Sequence, residues 1–95
     1  MPTTTPEVSI GTAPLRTVVR IAGRVSQVEV EPREGPSQLI ARVDDGTGFV
    51  DIVFMGRRLI PGVWAGQRMA VEGRIVDENG APRMYNPRYE LENQA

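Results

Sequence analysis

Eleven arginines carry every basic side chain in this sequence, set against 12 acidic residues, with no lysine, histidine or cysteine. Arginine forks onto phosphates and stacks on flat rings, although a genome rich in G and C produces the same bias without any function. The absent residues remove whole classes of chemistry. Without histidine there is no ordinary general base, no partner for a serine nucleophile and no imidazole for zinc. Without cysteine there is no disulfide, thiolate metal site or thiol nucleophile. No nucleophile–base pair can be assembled, so the chain is expected not to be an enzyme and to use no cofactor. Asp44, Asp45 and Asp51 suggest a hard-cation site, but Asp45-Gly46 is a turn former that accounts for two of these acids without a metal.

What remains is recognition. Arg83, Tyr85, Arg88 and Tyr89 interleave charge and aromatic rings, a pattern suited to a single strand with its alternating phosphates and base faces. Tyr89 reads as a ring packed on the fold with its hydroxyl wet, and Tyr85 stays open between packing and stacking. Arg57-Arg58 is either a phosphate clamp or a solvated surface pair. The net charge of -1 names no partner in bulk, so placement of charge decides.

These residues need strands to position them. The chain's 95 residues make one domain, and between its ends the apolar period is two. In VVRIAGRVSQVEV, Val19, Ile21 and Val25 alternate with polar residues, and Gly23 marks an expected bulge or bend. A second strand is expected over Gln38 to Asp44 and a third over Phe49–Met55, joined by the tight turn Asp45-Gly46-Thr47-Gly48. RMAVEGRIV is a fourth strand, with Met69, Val71 and Ile75 inward. After the Asn79-Gly80 turn, RMYNPRYEL is a fifth, demoted to an edge or bulge at Pro87. Pro61-Gly62 limits any helix between the third and fourth strands to about one turn or a loop. Leu59, Ile60, Val63 and Trp64 are then expected to plug the barrel bottom.

Five strands with a long third-to-fourth connection predict an all-β, five-stranded OB-fold Greek-key barrel, ahead of an SH3-like one. Closure removes most free edges in a short chain. Residues 1–14 read as a flexible N-terminal tail in which Val8 and Ile10 could dock as a lid, 15–91 as the OB-fold domain, and 92–95 as a frayed end. No apolar run is long enough to span a membrane and the opening lacks a secretory pattern, so a soluble, cytoplasmic protein is expected.

The runs VRIAGRV, VDDGTGFVDIVFMGRR, PGVWAGQRMAVEGRIV and YNPRYEL resemble the wedge (OB) domain of RecG-type branched-DNA helicases. They are still more similar to small stand-alone actinobacterial OB-fold nucleic-acid-binding proteins. The likeness covers residues 15 to 91. Its most specific parts are DGTG before an alternating strand, PG-x3-G before the fourth strand, and NPRYEL. It implies non-catalytic binding of single-stranded or branched DNA, or of RNA. The resemblance is to the wedge domain alone and does not extend to the helicase motor domains.

An OB barrel binds across its second and third strands and the loops flanking them. Alternation turns Ile40, Arg42, Phe49, Asp51, Val53 and Met55 outward. Phe49 beside Arg42 then makes either a stacking platform with a phosphate partner or a cap on the barrel rim. The candidate interface is Arg42, Phe49, Val53, Met55, Arg57, Arg58, Arg83, Tyr85 and Arg88. Glu29, Glu31 and Glu34 beside one flanking loop, and Asp77 and Glu78 beside the other, oppose a phosphate chain, so binding should be weak and salt-sensitive. Val53 and Met55, if exposed together, instead favour a protein partner on the same face.

Overall fold

The structure is a computed structural model that describes residues 5–31 and 37–92. Arg33, Glu34 and the end at 93–95 lie outside the described residues. Seven strands follow a short 3-10 turn at Ile10–Thr12: β1 (Val18–Glu31), β2 (Gln38–Asp44), β3 (Phe49–Met55), β4 (Arg68–Arg74), β5 (Val76–Glu78), β6 (Ala81–Tyr85) and β7 (Arg88–Leu91). They form one sheet in the order β5-β6-β3-β2-β1-β4-β7. Only Ile75 separates β4 from β5, so the chain joins the two sides of that order and the sheet curls round on itself. β6 runs parallel to β3, and β5 pairs with β6 through the Asn79-Gly80 hairpin. This is the OB architecture.

Two of the five expected strands are each divided. The fourth breaks at Ile75, a core residue around which β4 turns into β5. The fifth breaks at Asn86-Pro87, where Asn86 takes a left-handed φ of 47° and Pro87 has no N–H to offer a ladder. Its halves serve different neighbours, β6 beside β3 and β7 beside β4.

The long β1 is shared between two partners. Val18 to Arg24 pair with β4, and Arg24 to Glu31 pair with β2. The bulge expected at Gly23 falls instead between Val25 and Gln27, where the β2 register slips. Gly23 serves a close approach instead. A Cβ there would stand 2.6 Å from the Asp44 carbonyl oxygen, so the glycine lets two backbones touch where the strand changes partners.

The inward set is the one the alternation indicates. Val19, Ile21, Val25, Leu39, Val43, Val50, Ile52, Met69, Val71 and Met84 form one buried cluster. No helix intervenes between β3 and β4. That loop plugs its end of the barrel with Ile60 and Val63, but Leu59 is 73% and Trp64 59% exposed, correcting the expectation that all four residues fill it. Residues 60 to 63 make one tight turn, with the Val63 N–H on the Ile60 carbonyl at 3.0 Å. Such a turn cannot aim four successive apolar groups the same way, and Leu59 and Trp64 flank the two that go in.

Of the fourteen residues assigned to a tail, Pro6 to Ala13 lie on the barrel. The Val8 N–H donates to the Arg20 carbonyl at 2.9 Å and the Arg20 N–H to Pro6 at 3.1 Å. Ile10 is buried in the core cluster, with Val8 and Ala13 packed against it. At the other end, the Glu92 N–H donates to the Arg68 carbonyl at 2.9 Å, which ties in the first residue of the segment expected to fray.

Candidate nucleic-acid interface

The β2–β3 hairpin is built around its turn. Asp44 Oδ1 accepts from the Gly46 N–H at 2.7 Å, and Asp45 Oδ1 accepts from the Thr47 N–H at 2.9 Å and its hydroxyl at 2.5 Å. Asp45 Oδ2 accepts from the Ile10 N–H at 2.9 Å, and the Gly11 N–H donates to Thr47 Oγ1 at 3.0 Å. The two turn acids are thus occupied by backbone donors. No group of three metal-ligating side chains occurs among the described residues. Burial pushes the Asp45 carboxyl up, but the donors from Ile10, Thr47 and Gly48 outweigh it and hold its pKa below the usual value.

This turn sets the register of the hairpin, so that Arg42 faces Asp51, Ile40 faces Val53 and Gln38 faces Met55. β6 extends the same outer face, with Arg83 beside Asp51 and Tyr85 beside Val53. Arg42 is spent on its neighbours. Its Nε and Nη2 donate to the two Asp51 carboxylate oxygens at 2.9 and 3.2 Å, and its guanidinium lies 4.1 Å from the centre of the Phe49 ring. Asp51 is only 7% exposed. The hydrogen bonds to Asp51 raise the Arg42 pKa against the opposing effect of burial. Phe49 and Arg42 do come together as alternation indicates, but as a unit in which the cation already covers one face of the ring.

The apolar side chains of this face are largely covered. Val53 is 0% exposed and Ile40 is also buried, while Met55 is 56% exposed. The exposed pair Val53 and Met55 is therefore corrected to Met55 alone, because Val53 lies between Ile40 and Tyr85 in the ladder. Tyr85 is 37% exposed, and its hydroxyl donates to Glu78 Oε1 at 2.5 Å. Glu78 also meets Arg83 Nη1 at 3.6 Å. Tyr89 packs edge-on against Phe54, ring centres 5.5 Å apart. Arg57 and Arg58 are exposed beyond β3, where Arg58 Nη1 donates to Ser37 Oγ at 2.6 Å. Arg88 opens β7, across β4 from the hairpin face.

Sequence reasoning treated Asp51 as a lone outward acid and missed its pairing. The signal was available: a turn at 45–48 that pairs Asp44 with Phe49 also pairs Arg42 with Asp51.

A curled, seven-strand OB barrel with a mixed polar and aromatic outer face defines the class. Residues 19–92 match the family model for the OB-fold nucleic acid binding domain, and the chain belongs to that family. Its fold is similar to that of the OB domain of Ta0387 from Thermoplasma acidophilum, a solution NMR structure, with a TM-score of 0.73 at 19% identity, over 96% of this chain and 91% of that one. No curated protein matches the sequence. No helix among the described residues is long and apolar enough to cross a membrane.

Proposed function

We propose that the chain is a non-catalytic binder of single-stranded or branched nucleic acid, DNA or RNA, that uses the outer face of β2, β3 and β6. The observation that carries this reading is the pair of pre-set rings on that face. Phe49 is held under Arg42, which Asp51 anchors, and Tyr85 is held by Glu78. Rings fixed in place lose little freedom when a base stacks on them, and each such stack contributes roughly 1–3 kcal/mol. Met55, Arg57 and Arg58 extend the face at one end, Arg83 lies on it beside Asp51, and Arg88 follows Tyr85 at the start of β7. Paired arginines attract a phosphate chain less than free ones, so affinity at physiological salt is about micromolar or poorer. The likeness to the RecG wedge domain and to actinobacterial stand-alone proteins, and a cytoplasmic setting, belong to this same reading.

Titration of the ¹⁵N-labelled protein with short single-stranded DNA and RNA at low salt tests it. Amide shifts should concentrate at Phe49, Val53 and Tyr85. Saturable binding that leaves β2, β3 and β6 unmoved would place the interface elsewhere, and no binding of either strand would end the nucleic-acid reading.

A second reading, docking of a protein partner, is favoured by a different feature from the one the sequence suggested. Val53 no longer contributes, and exposed Leu59 and Trp64 on the β3–β4 loop take its place.

A further inference from the structure

Among the described residues the side chains of Arg16, Arg24, Arg57, Arg74 and Arg88 form neither an ion pair nor a hydrogen bond. Arg42 and Arg83 on the hairpin face, by contrast, are paired to Asp51 and Glu78. Three of the five unpaired cations gather at one corner. Arg74 ends β4, Arg88 begins β7, and the Arg16 N–H donates to the carbonyl of Ile75, the residue between β4 and β5, at 2.8 Å.

The corner is open for a structural reason. β6 leaves to pair with β3 while β7 returns to pair with β4, so no ladder joins β4 to β6. The chain crosses between them at Asn86-Pro87, where the left-handed turn and the missing N–H prevent continuous pairing. A groove of about 510 Å³ lies along this seam, lined among others by Arg74, Arg88, Tyr85, Asn86, Pro87 and Glu72. Among the described residues Glu72 is its one acid. It stands opposite Arg20 on one side and Arg88 on the other, and accepts from the Thr5 hydroxyl at 3.1 Å. The groove lining therefore holds two free cations against one engaged anion. Along its strands the hairpin face has two paired cations, their two acids, Asp44 beside Phe49 and Glu29 beside Ile40, and its free cation, Arg57, lies beyond the end of β3.

Tyr85 belongs to both surfaces. It sits beside Val53 on the outer face and also lines the seam groove. Its hydroxyl on Glu78 fixes the ring at the place where the two surfaces meet.

Building on the nucleic-acid reading above, we propose that the seam groove is the phosphate track. Arg74 and Arg88 each hold a backbone phosphate of a single strand, and Tyr85 at the groove edge stacks the adjoining base before the strand passes onto the hairpin face. The strand is single because a base must be unstacked to lie on a tyrosine ring, which an intact duplex does not offer.

The test is fluorescence anisotropy of a labelled oligothymidylate, and of the same oligomer annealed to its complement, with the full chain between about 50 and about 200 mM salt. The doubly substituted R74Q/R88Q protein should bind the single strand at least about tenfold more weakly. Its dependence of log K on log salt should be shallower by about 1.4, the value for two lost single-strand contacts. Arg24→Gln removes an equally unpaired charge from β1 away from the seam and should leave both quantities near wild type. R74K/R88K should keep most of the salt slope. Circular dichroism and the urea midpoint establish that each variant is folded. Wild-type affinity and slope in R74Q/R88Q would overturn the phosphate track while leaving the hairpin-face reading intact. An equal loss in Arg24→Gln would also overturn it, by showing that only net charge matters. Duplex bound as tightly as the single strand would remove the role of Tyr85. Absence of any binding by the wild-type chain would sink the broader nucleic-acid reading together with this one.

Discussion

Asp51 decides how much positive charge the hairpin face can offer. It is buried, it takes both hydrogen bonds from Arg42, and it lies beside Arg83 in the parallel ladder. Replacing it with asparagine keeps one acceptor but removes the charge that balances two arginines. Asp51→Asn is therefore expected to lower stability by about 1–3 kcal/mol, because a charge-assisted pair is broken in a partly desolvated place. It should also tighten binding of a single-stranded oligonucleotide several-fold at low salt. Urea denaturation and anisotropy read the two effects separately, and a variant both weaker in folding and weaker in binding would refute this assignment of roles. At this scale the sequence was half legible. Types and spacing bring Arg42 to Phe49, but alternation alone does not say that Arg42 is already engaged. That depends on the partner strand, and so on the turn that sets the pairing.

The elements that close the barrel ends are the β3–β4 loop and the N-terminal strap. In the loop, Ile60→Ala should cost about 3 kcal/mol by leaving a cavity at the core end. Trp64→Ser should change stability by less than about 0.5 kcal/mol, because the ring is mostly in solvent. A comparable loss from both in thermal or urea unfolding would mean that the tryptophan is a plug after all. Composition does not separate these two residues: both are large and apolar, and only the tight turn between them determines which enters. The strap reports on pH. Asp45 titrates below its usual value in the folded chain, so the stability it contributes is fully present above the unfolded value of about 3.9 and is lost as pH falls through and below it. Hydrogen exchange at the Ile10 amide should accelerate, relative to its intrinsic rate, as pH drops below about 4. Asp45→Asn should flatten that response, and an unchanged profile in the variant would show that another group holds the strap. The strand pattern indicated the core of these elements correctly. The strap was partly legible, since Val8 and Ile10 stood out as residues that could dock, but the backbone donors of Val8, Ile10 and Gly11 that fix it leave no mark in the composition.

For the whole molecule, the architecture was legible because strand alternation, turn chemistry and chain length all agree with a small closed barrel. The placement of free charge was not, since it depends on which acids fold against which arginines, and that is a property of the ladder rather than of the composition. The near-neutral total thus conceals an uneven surface: among the described residues three of the five unpaired cations, Arg16, Arg74 and Arg88, lie at the corner where β4, β5 and β7 meet. The strap has one more consequence. Arg20 uses its N–H and carbonyl, on the side away from β4, to hold Pro6 and Val8, in the stretch of β1 that β2 does not reach. A chain lacking residues 1–9 would expose that stretch as an unprotected edge, a template for the same stretch in another molecule. Such a truncation should shift the protein toward dimers or larger species in size-exclusion with light scattering, and restoring the segment as a free peptide should reverse the shift. A handle for labelling or immobilising this protein accordingly belongs at its C-terminal end, where it would not pry open that edge.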